Sequence, residues 1–216
     1  MSVTILLADD HPLIRRGLRQ LLEAERGLLV VGEAEDGLQV IQMAEKLRPN
    51  VIVVDLMMPN VNGLEVMRTL RRRLPGTRMI VLSMQRADPY IVEAFRAGAT
   101  AYVLKDEAPS ETVRAIEQAL QGKKYLSPKL PERLLDAAEM PEKASLDPYE
   151  KLTERERVVF QLVAEGKTSP EIAGVLFISP RTVEVHRGRV MEKLGVRSKA
   201  ELVRFALRKG LVPLDN

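Results

Sequence analysis

The feature that most restricts the fold of this chain is a fivefold alternation in its first 121 residues. Short apolar runs at 3–8, 28–32, 51–54, 78–82 and 101–104 are separated by stretches of helical periodicity at 13–24, 37–47, 63–74, 89–97 and 109–120. Runs this short, rich in Val, Ile and Leu, are expected to be strands buried on both faces. Five such βα repeats give an α/β doubly wound fold, a five-stranded parallel sheet with helices on both sides. Right-handed crossovers leave few topologies, of which the order 2-1-3-4-5 is the common one.

Polar residues gather at one end of these runs. Asp9 and Asp10 follow the first, Asp55 closes the third, Ser83 closes the fourth and Lys105 follows the fifth. All five are expected along the carboxyl edge of the sheet, where the strand order reverses between strands 1 and 3 and opens a ligand crevice. Two unit charges ~4 Å apart interact by about 4 kcal/mol at an effective dielectric of 20, so three carboxylates there repel strongly. A divalent cation relieves that repulsion, and hard oxygen donors suit Mg²⁺. A lysine and a small hydroxyl beside them suit a phosphoryl group. The set therefore fits acceptance of a phosphoryl group by one of the aspartates, with metal and lysine neutralising charge. Singly, each residue has a plainer reading: Asp10 as a helix cap before Pro12, Asp55 as an ordinary strand-end carboxylate, Lys105 as a solvated lysine. Their joint placement on one edge is what favours a site. Neither G-x-x-x-x-G-K-[ST] nor G-x-G-x-x-G occurs, which removes support for nucleotide binding.

Charge divides the chain further. Residues 1–121 carry 15 basic and 16 acidic side chains, and 122–150 carry 5 and 6. Residues 151–216 carry 13 and 8, so the whole positive excess lies there, as expected of a segment that meets a polyanion. Residues 122–150 hold Pro128, Pro131, Pro141 and Pro148 among alternating charges and are expected to be a linker, with one short helix near 131–139. Helix signals then crowd the last third. Thr153 and Glu156 form a capping box and Gly166 stops that helix. Ser169-Pro170 and Ser179-Pro180 open two more, and Ser198 and Glu201 cap a fourth that stops at Gly210. The tight connection around Phe177 and Ile178 makes a helix-turn-helix in a small all-α four-helix domain. On its second helix, Val183, His186, Val190 and Leu194 form the core stripe, with His186 as a packed structural residue. Arg181, Thr182, Glu184, Val185, Arg187, Gly188, Arg189 and Lys193 remain to face a major groove.

The segments ADDHP, DLMMPNVNG, VLSM and AYVLKD closely resemble the signatures of bacterial response-regulator receiver domains. The resemblance implies that Asp55 is the phosphoacceptor, supplied by a sensor histidine kinase or a small phosphodonor. It implies that Asp9, Asp10, Asp55 and the backbone carbonyl of Met57 hold Mg²⁺, that Ser83 and Lys105 contact the phosphoryl oxygens, and that Tyr102 is the aromatic that switches with Ser83. The stretch from Leu152 to Val203 resembles the LuxR-type DNA-binding domain of NarL/FixJ regulators. That resemblance implies a recognition helix over 180–193, a last helix over 199–209 that contacts a second copy, and binding to double-stranded DNA as a homodimer. Glu184 and Gly188 depart from the basic or polar residues common there, so the target sequence does not carry over.

Two domains joined by a linker are thus expected: a receiver over 1–121, the linker over 122–150, with one short helix, and a DNA-binding domain over 151–216. The expected function is a regulator whose phosphorylation shifts the arrangement of its halves and its dimerisation, not a substrate-turning enzyme. Two alternatives stand beside it: a phosphorylation-independent regulator with a protein- or ligand-gated receiver, and a phosphohydrolase using Asp55. The absence of cysteine excludes disulfides and thiolate sites, and two histidines exclude a His-rich zinc centre. No apolar run approaches the roughly 18–20 residues of a membrane span, and MSVTILLADDHP has no basic leader, so a soluble cytoplasmic protein without membrane partners is expected.

Overall fold

A computed structural model describes residues 2–107, 109–140, 148–209 and 211. The chain divides into two compact units, Met1–Pro141 and Glu142–Asn216. In the first, β1 (Val3–Ala8), β2 (Leu28–Ala34), β3 (Val51–Val54), β4 (Arg78–Ser83) and β5 (Ala101–Leu104) alternate with α1 (Pro12–Ala24), α2 (Gly37–Leu47), α3 (Gly63–Arg73), α4 (Asp88–Ala97) and α5 (Pro109–Leu120). All strand pairs are parallel. Ile5, Leu7, Val53, Ile80 and Val103 pack beneath Leu22 of α1 and Ile116 and Ala119 of α5. Each such Val, Leu or Ile side chain contributes roughly 1.5–3 kcal/mol on burial.

The sheet has six strands, not five, in the order β2-β1-β3-β4-β5-β6. The extra strand, β6 (Tyr125–Leu126), lies in the segment expected to be linker, and α6 (Arg133–Glu139) follows it. Ser127 donates its N–H to the Tyr102 carbonyl at 2.9 Å, prolonging the β5–β6 ladder. Leu130 and Leu134 are buried, and α6 packs against α4, where the Arg96 guanidinium donates to the Ala137 carbonyl at 3.3 Å. The first unit therefore continues well past residue 121. The prolines that suggested a linker bracket these elements without interrupting them: Pro128 follows β6 and Pro131 precedes α6. Pro141 lies outside the described residues.

The second unit begins with a 3₁₀ turn, Pro148–Lys151, followed by α7 (Glu154–Ala164), α8 (Ser169–Leu176), α9 (Pro180–Leu194) and α10 (Lys199–Arg208). The capping box of α7 is present: Glu156 N–H reaches Thr153 Oγ1 at 3.3 Å and Thr153 N–H reaches Glu156 Oε2 at 2.8 Å. At α8 the cap stands one residue earlier than expected. Thr168, not Ser169, keeps the extended backbone, and both its N–H and its hydroxyl donate to Glu171 Oε2 at 2.7 Å. Ser179 and Ser198 accept from the Thr182 and Glu201 amides as expected. Phe160 sits at the centre, edge-on to Tyr149 and Phe205 at centroid distances of 5.5 and 5.9 Å. The expected stop at Gly210 lies outside the described residues.

Candidate functional site

Ladder hydrogen bonds carry past the strand ends and fix the acidic pocket. Asp55 N–H donates to the Ala8 carbonyl at 2.8 Å, Asp9 N–H to Ala34 at 3.1 Å and Lys105 N–H to Ser83 at 3.0 Å. Asp9, Asp55 and Ser83 are buried, while Asp10 is exposed. The loop after β3 folds tightly over its own strand end. A Cβ at Gly63 would lie 2.2 Å from the Asp55 carbonyl oxygen, so no side chain fits there.

The Lys105 ammonium sits between two of the carboxylates, 2.6 Å from Asp9 Oδ2 and 2.7 Å from Asp55 Oδ2. Burial pushes the Asp55 carboxyl above its ordinary range, against the pull of Lys105 and a Met57 backbone hydrogen bond, and the Asp9 charge adds to the rise. Burial draws Lys105 down, but Asp55 and Asp9 outweigh it and hold the ammonium charged. Three carboxylates and one ammonium leave two negative charges uncompensated, which a divalent cation would match. The donor set fits one: ligand atoms of Asp9, Asp10, His11 and Asp55 all lie within 4.8 Å of one another.

His11 is the member that sequence reasoning missed. Its Nδ1 lies 2.7 Å from Asp10 Oδ1 and 3.1 Å from Asp9 Oδ1, and its N–H donates to Asp9 Oδ1 at 2.8 Å. The signal was its place directly after the two aspartates in ADDHP. Tyr102 is fully buried and donates its hydroxyl to the Gln85 carbonyl at 2.8 Å, while Gln85 N–H reaches Ser83 Oγ at 3.3 Å. Ser83 and Tyr102 thus meet at the same loop. Behind it stands Ser127, also absent from the sequence reading. Its fully buried Oγ accepts from Leu104 N–H at 3.0 Å and donates to the Glu107 carboxylate.

On α9, Val183, Val190 and Leu194 are buried and His186 is half-buried. Burial, with Arg155 and Arg189 nearby, lowers the His186 pKa and keeps the ring neutral at neutral pH. Arg181, Glu184, Val185, Gly188 and Arg189 are exposed, with Thr182 and Arg187 at the margin. Thr182 shares its hydroxyl with Ser179 at 2.8 Å. Glu184 pairs with Arg187 at 2.7 Å and accepts from the Ser169 hydroxyl on α8, so it joins the two helices of the motif. Lys193 does not join the exposed face. Its ammonium is 2.6 Å from the buried Glu156 carboxylate and 3.2 Å from the Lys151 carbonyl, because position 193 falls one helical step from Val190 toward α7. Phe177, in the turn, is 92% exposed with φ +53°.

A parallel-sheet domain with a lysine-bridged acidic pocket, followed by a helix-turn-helix unit, defines a signal-receiving DNA-binding regulator. Residues 5–117 match the response regulator receiver domain family, and residues 150–206 match the luxR family of bacterial regulatory proteins. The chain belongs to the two-component response regulators of this NarL/FixJ type, which are phosphorylation-dependent regulators of transcription. It is 38% identical to the nitrate/nitrite response regulator protein NarP of Escherichia coli K12, over 95% of each chain. It is 34% identical to the response regulator GacA of Pseudomonas aeruginosa, over 97% of this chain and 98% of GacA. Among solved structures, that of the two-component response regulator RcsB–DNA complex superposes with a TM-score of 0.57 at 29% identity, over 96% of this chain and 98% of that one. No helix among the described residues is long and apolar enough to cross a membrane.

Proposed function

We propose that Asp55 accepts the phosphoryl group, donated by a sensor histidine kinase or a small phosphodonor, and that this controls binding of the second unit to double-stranded DNA. The observation that carries the reading is the Lys105 ammonium, held within 2.7 Å of both Asp9 and Asp55 at the reversal point of the sheet. Asp9, Asp10 and Asp55, with the Met57 carbonyl, are the groups to hold Mg²⁺, which supplies charge neutralisation at the phosphoryl oxygens. Asp55 is the nucleophile. Lys105 offers its ammonium to the oxygens that gain charge, and the Ser83 hydroxyl donates to another. New acceptor oxygens at Asp55 draw Ser83 inward, and the Tyr102 ring repacks with it. The receiver acts on its own phosphoryl group alone and turns over no separate substrate.

The exposed face of α9 supplies the DNA contacts, with Arg181, Arg187 and Arg189 for phosphates or guanine edges and Val185 for a thymine methyl. Thr182 and Gly188 complete that face, and Glu184 fixes its orientation through Ser169. A homodimer paired through α10 would meet two half-sites about 10 base pairs apart. The cytoplasm, where kinase and DNA are both at hand, is the compartment this reading requires. Incubation with acetyl phosphate and Mg²⁺ tests it: the wild type should gain one hydroxylamine-sensitive phosphoryl group and Asp55→Asn none. A phosphoryl group of equal stoichiometry on Asp55→Asn contradicts the assignment. A second reading, in which the receiver is gated without phosphorylation, leaves the intact set of Asp9, Asp10, Asp55, Ser83 and Lys105 without a purpose.

A further inference from the structure

The acidic pocket is divided between two unlike partners. The Lys105 ammonium takes the Oδ2 atoms of Asp9 and Asp55, and the His11 ring takes the Oδ1 atoms of Asp9 and Asp10. Lys105 is a fixed cation. An imidazole is different: with its hydrogen on Nδ1 it donates to the carboxylates, and with its hydrogen on Nε2 it turns a lone pair toward them. Among the described residues of the pocket, the His11 ring supplies the nitrogen that can offer a lone pair to a metal, since Lys105 is a charged ammonium.

We infer that His11 is a metal ligand of this pocket and sets its selectivity, favouring first-row transition divalent ions over Mg²⁺. The inference rests on the cation-binding reading of the pocket given above. Three observations support it. The spacing suits shared coordination, since adjacent ligands of an octahedral ion with bonds of about 2.1 Å stand about 3.0 Å apart. Nδ1 stands 2.7 Å from Asp10 Oδ1 and 3.1 Å from Asp9 Oδ1. The backbone that carries the ring is also held, because the His11 backbone N–H donates to Asp9 Oδ1 and the residue stands at the N-cap position of α1 immediately before Pro12, whose ring limits the backbone. Finally, the His11 side chain is 62% exposed, so an ion can enter from the solvent side past the ring without disturbing the buried Asp9–Lys105 pair.

The chemistry separates ions by ligand type. Mg²⁺ takes oxygen and keeps several waters, so loss of one imidazole matters little to it. Mn²⁺, Co²⁺, Ni²⁺ and Zn²⁺ gain from an imidazole nitrogen, in rising measure along the series to Ni²⁺. The consequence is a receiver whose occupancy follows the supply of a transition ion even where Mg²⁺ is abundant.

Titration of the full-length protein with Co²⁺ tests this, read by the visible spectrum of the bound ion and by calorimetry, with a parallel Mg²⁺ titration. His11→Ala should weaken Co²⁺ binding about tenfold or more and shift the Co²⁺ bands, while Mg²⁺ affinity changes less than about threefold. His11→Gln, which keeps a polar side chain at the site, should behave like His11→Ala; it also serves should the alanine variant fail to fold. Loss of Co²⁺ and Mg²⁺ affinity in the same proportion, or an unaltered Co²⁺ spectrum, overturns the inference. Failure of the wild type to bind either ion overturns instead the cation-binding reading on which it rests.

Discussion

The ammonium of Lys105 stands 2.7 Å from a carboxylate oxygen of Asp55, although fifty positions separate the two residues in the chain. The contact exists because β3 and β5 both end at the same edge, with β4 between them. Among the described residues, Lys105 is the ammonium that holds the two buried carboxylates of Asp9 and Asp55 together.

Lys105→Met should therefore expose the repulsion between Asp9 and Asp55. We expect a loss of about 3 kcal/mol in metal-free buffer, since removing one partner strands a buried charge. Mg²⁺ at a hundred times its dissociation constant adds about 2.7 kcal/mol by mass action and should restore most of the loss. Urea denaturation with and without Mg²⁺ measures both, and equal stability of variant and wild type in metal-free buffer contradicts the pocket's energetics.

Ser127→Ala removes the acceptor of a buried Leu104 amide and the donor to Glu107. An unsatisfied buried amide costs about 1–3 kcal/mol. Denaturation should report that loss, and amide exchange at Leu104 should accelerate while exchange in β1 stays slow. Unchanged exchange at Leu104 would show that the hydroxyl is dispensable.

Acid should loosen the second unit through Glu156. Burial pushes that carboxyl up, but Lys193 and the amide and hydroxyl of Thr153 pull harder, so its folded pKa lies below the ordinary 4.5. The unfolded chain then binds the proton more readily than the folded one. The stability Glu156 contributes is complete above about 4.5 and falls away as pH drops through the folded value. Glu156→Gln should flatten this part of the pH profile, followed by circular dichroism between neutral pH and the acid transition. A profile identical to that of the wild type contradicts a role for Glu156 in acid stability.

Arg181 and Arg189 are exposed on α9, whereas Lys193 is turned to Glu156. Each arginine replaced by alanine should lower the salt slope of DNA binding by about 0.9 if it meets a phosphate. Lys193→Ala should leave that slope alone and instead destabilise the unit. A reduced slope for Lys193→Ala would return that residue to the DNA face.

Much of this was readable in the sequence because periodicity and strand ends are local properties. VIVV followed by Asp55, and LLA followed by Asp9 and Asp10, announce both a buried strand and the edge where it stops. The helix caps of the second unit are equally local, and the slips are shifts of one residue: Thr168 caps α8 in place of Ser169, and Glu201 accepts from the Arg197 amide in place of that of Ser198. What escaped were pairings across space. Tyr125-Leu126 is too short to show a period, and only its neighbour β5 makes it a strand. Glu184 reads as a misplaced charge beside DNA until its contact with Ser169 on α8 is seen. Lys193 reads as a basic residue on a basic helix until α7 places Glu156 beneath it. His11 read as one of two unrelated histidines although it directly follows Asp9 and Asp10, because adjacency in a loop does not tell which way a ring turns; only the fold brings its Nδ1 to within 3.1 Å of both carboxylates.

The measurement that tests the central claim most directly is the affinity of one DNA fragment, selected from random sequence, for the protein with Asp55 phosphorylated and unphosphorylated. Fluorescence anisotropy at fixed salt should show tighter binding of the phosphorylated form, by between about 5- and 150-fold, with no change for Asp55→Asn treated in the same way. Equal affinities for the two forms, with mass spectrometry confirming complete phosphorylation of Asp55, would contradict the account.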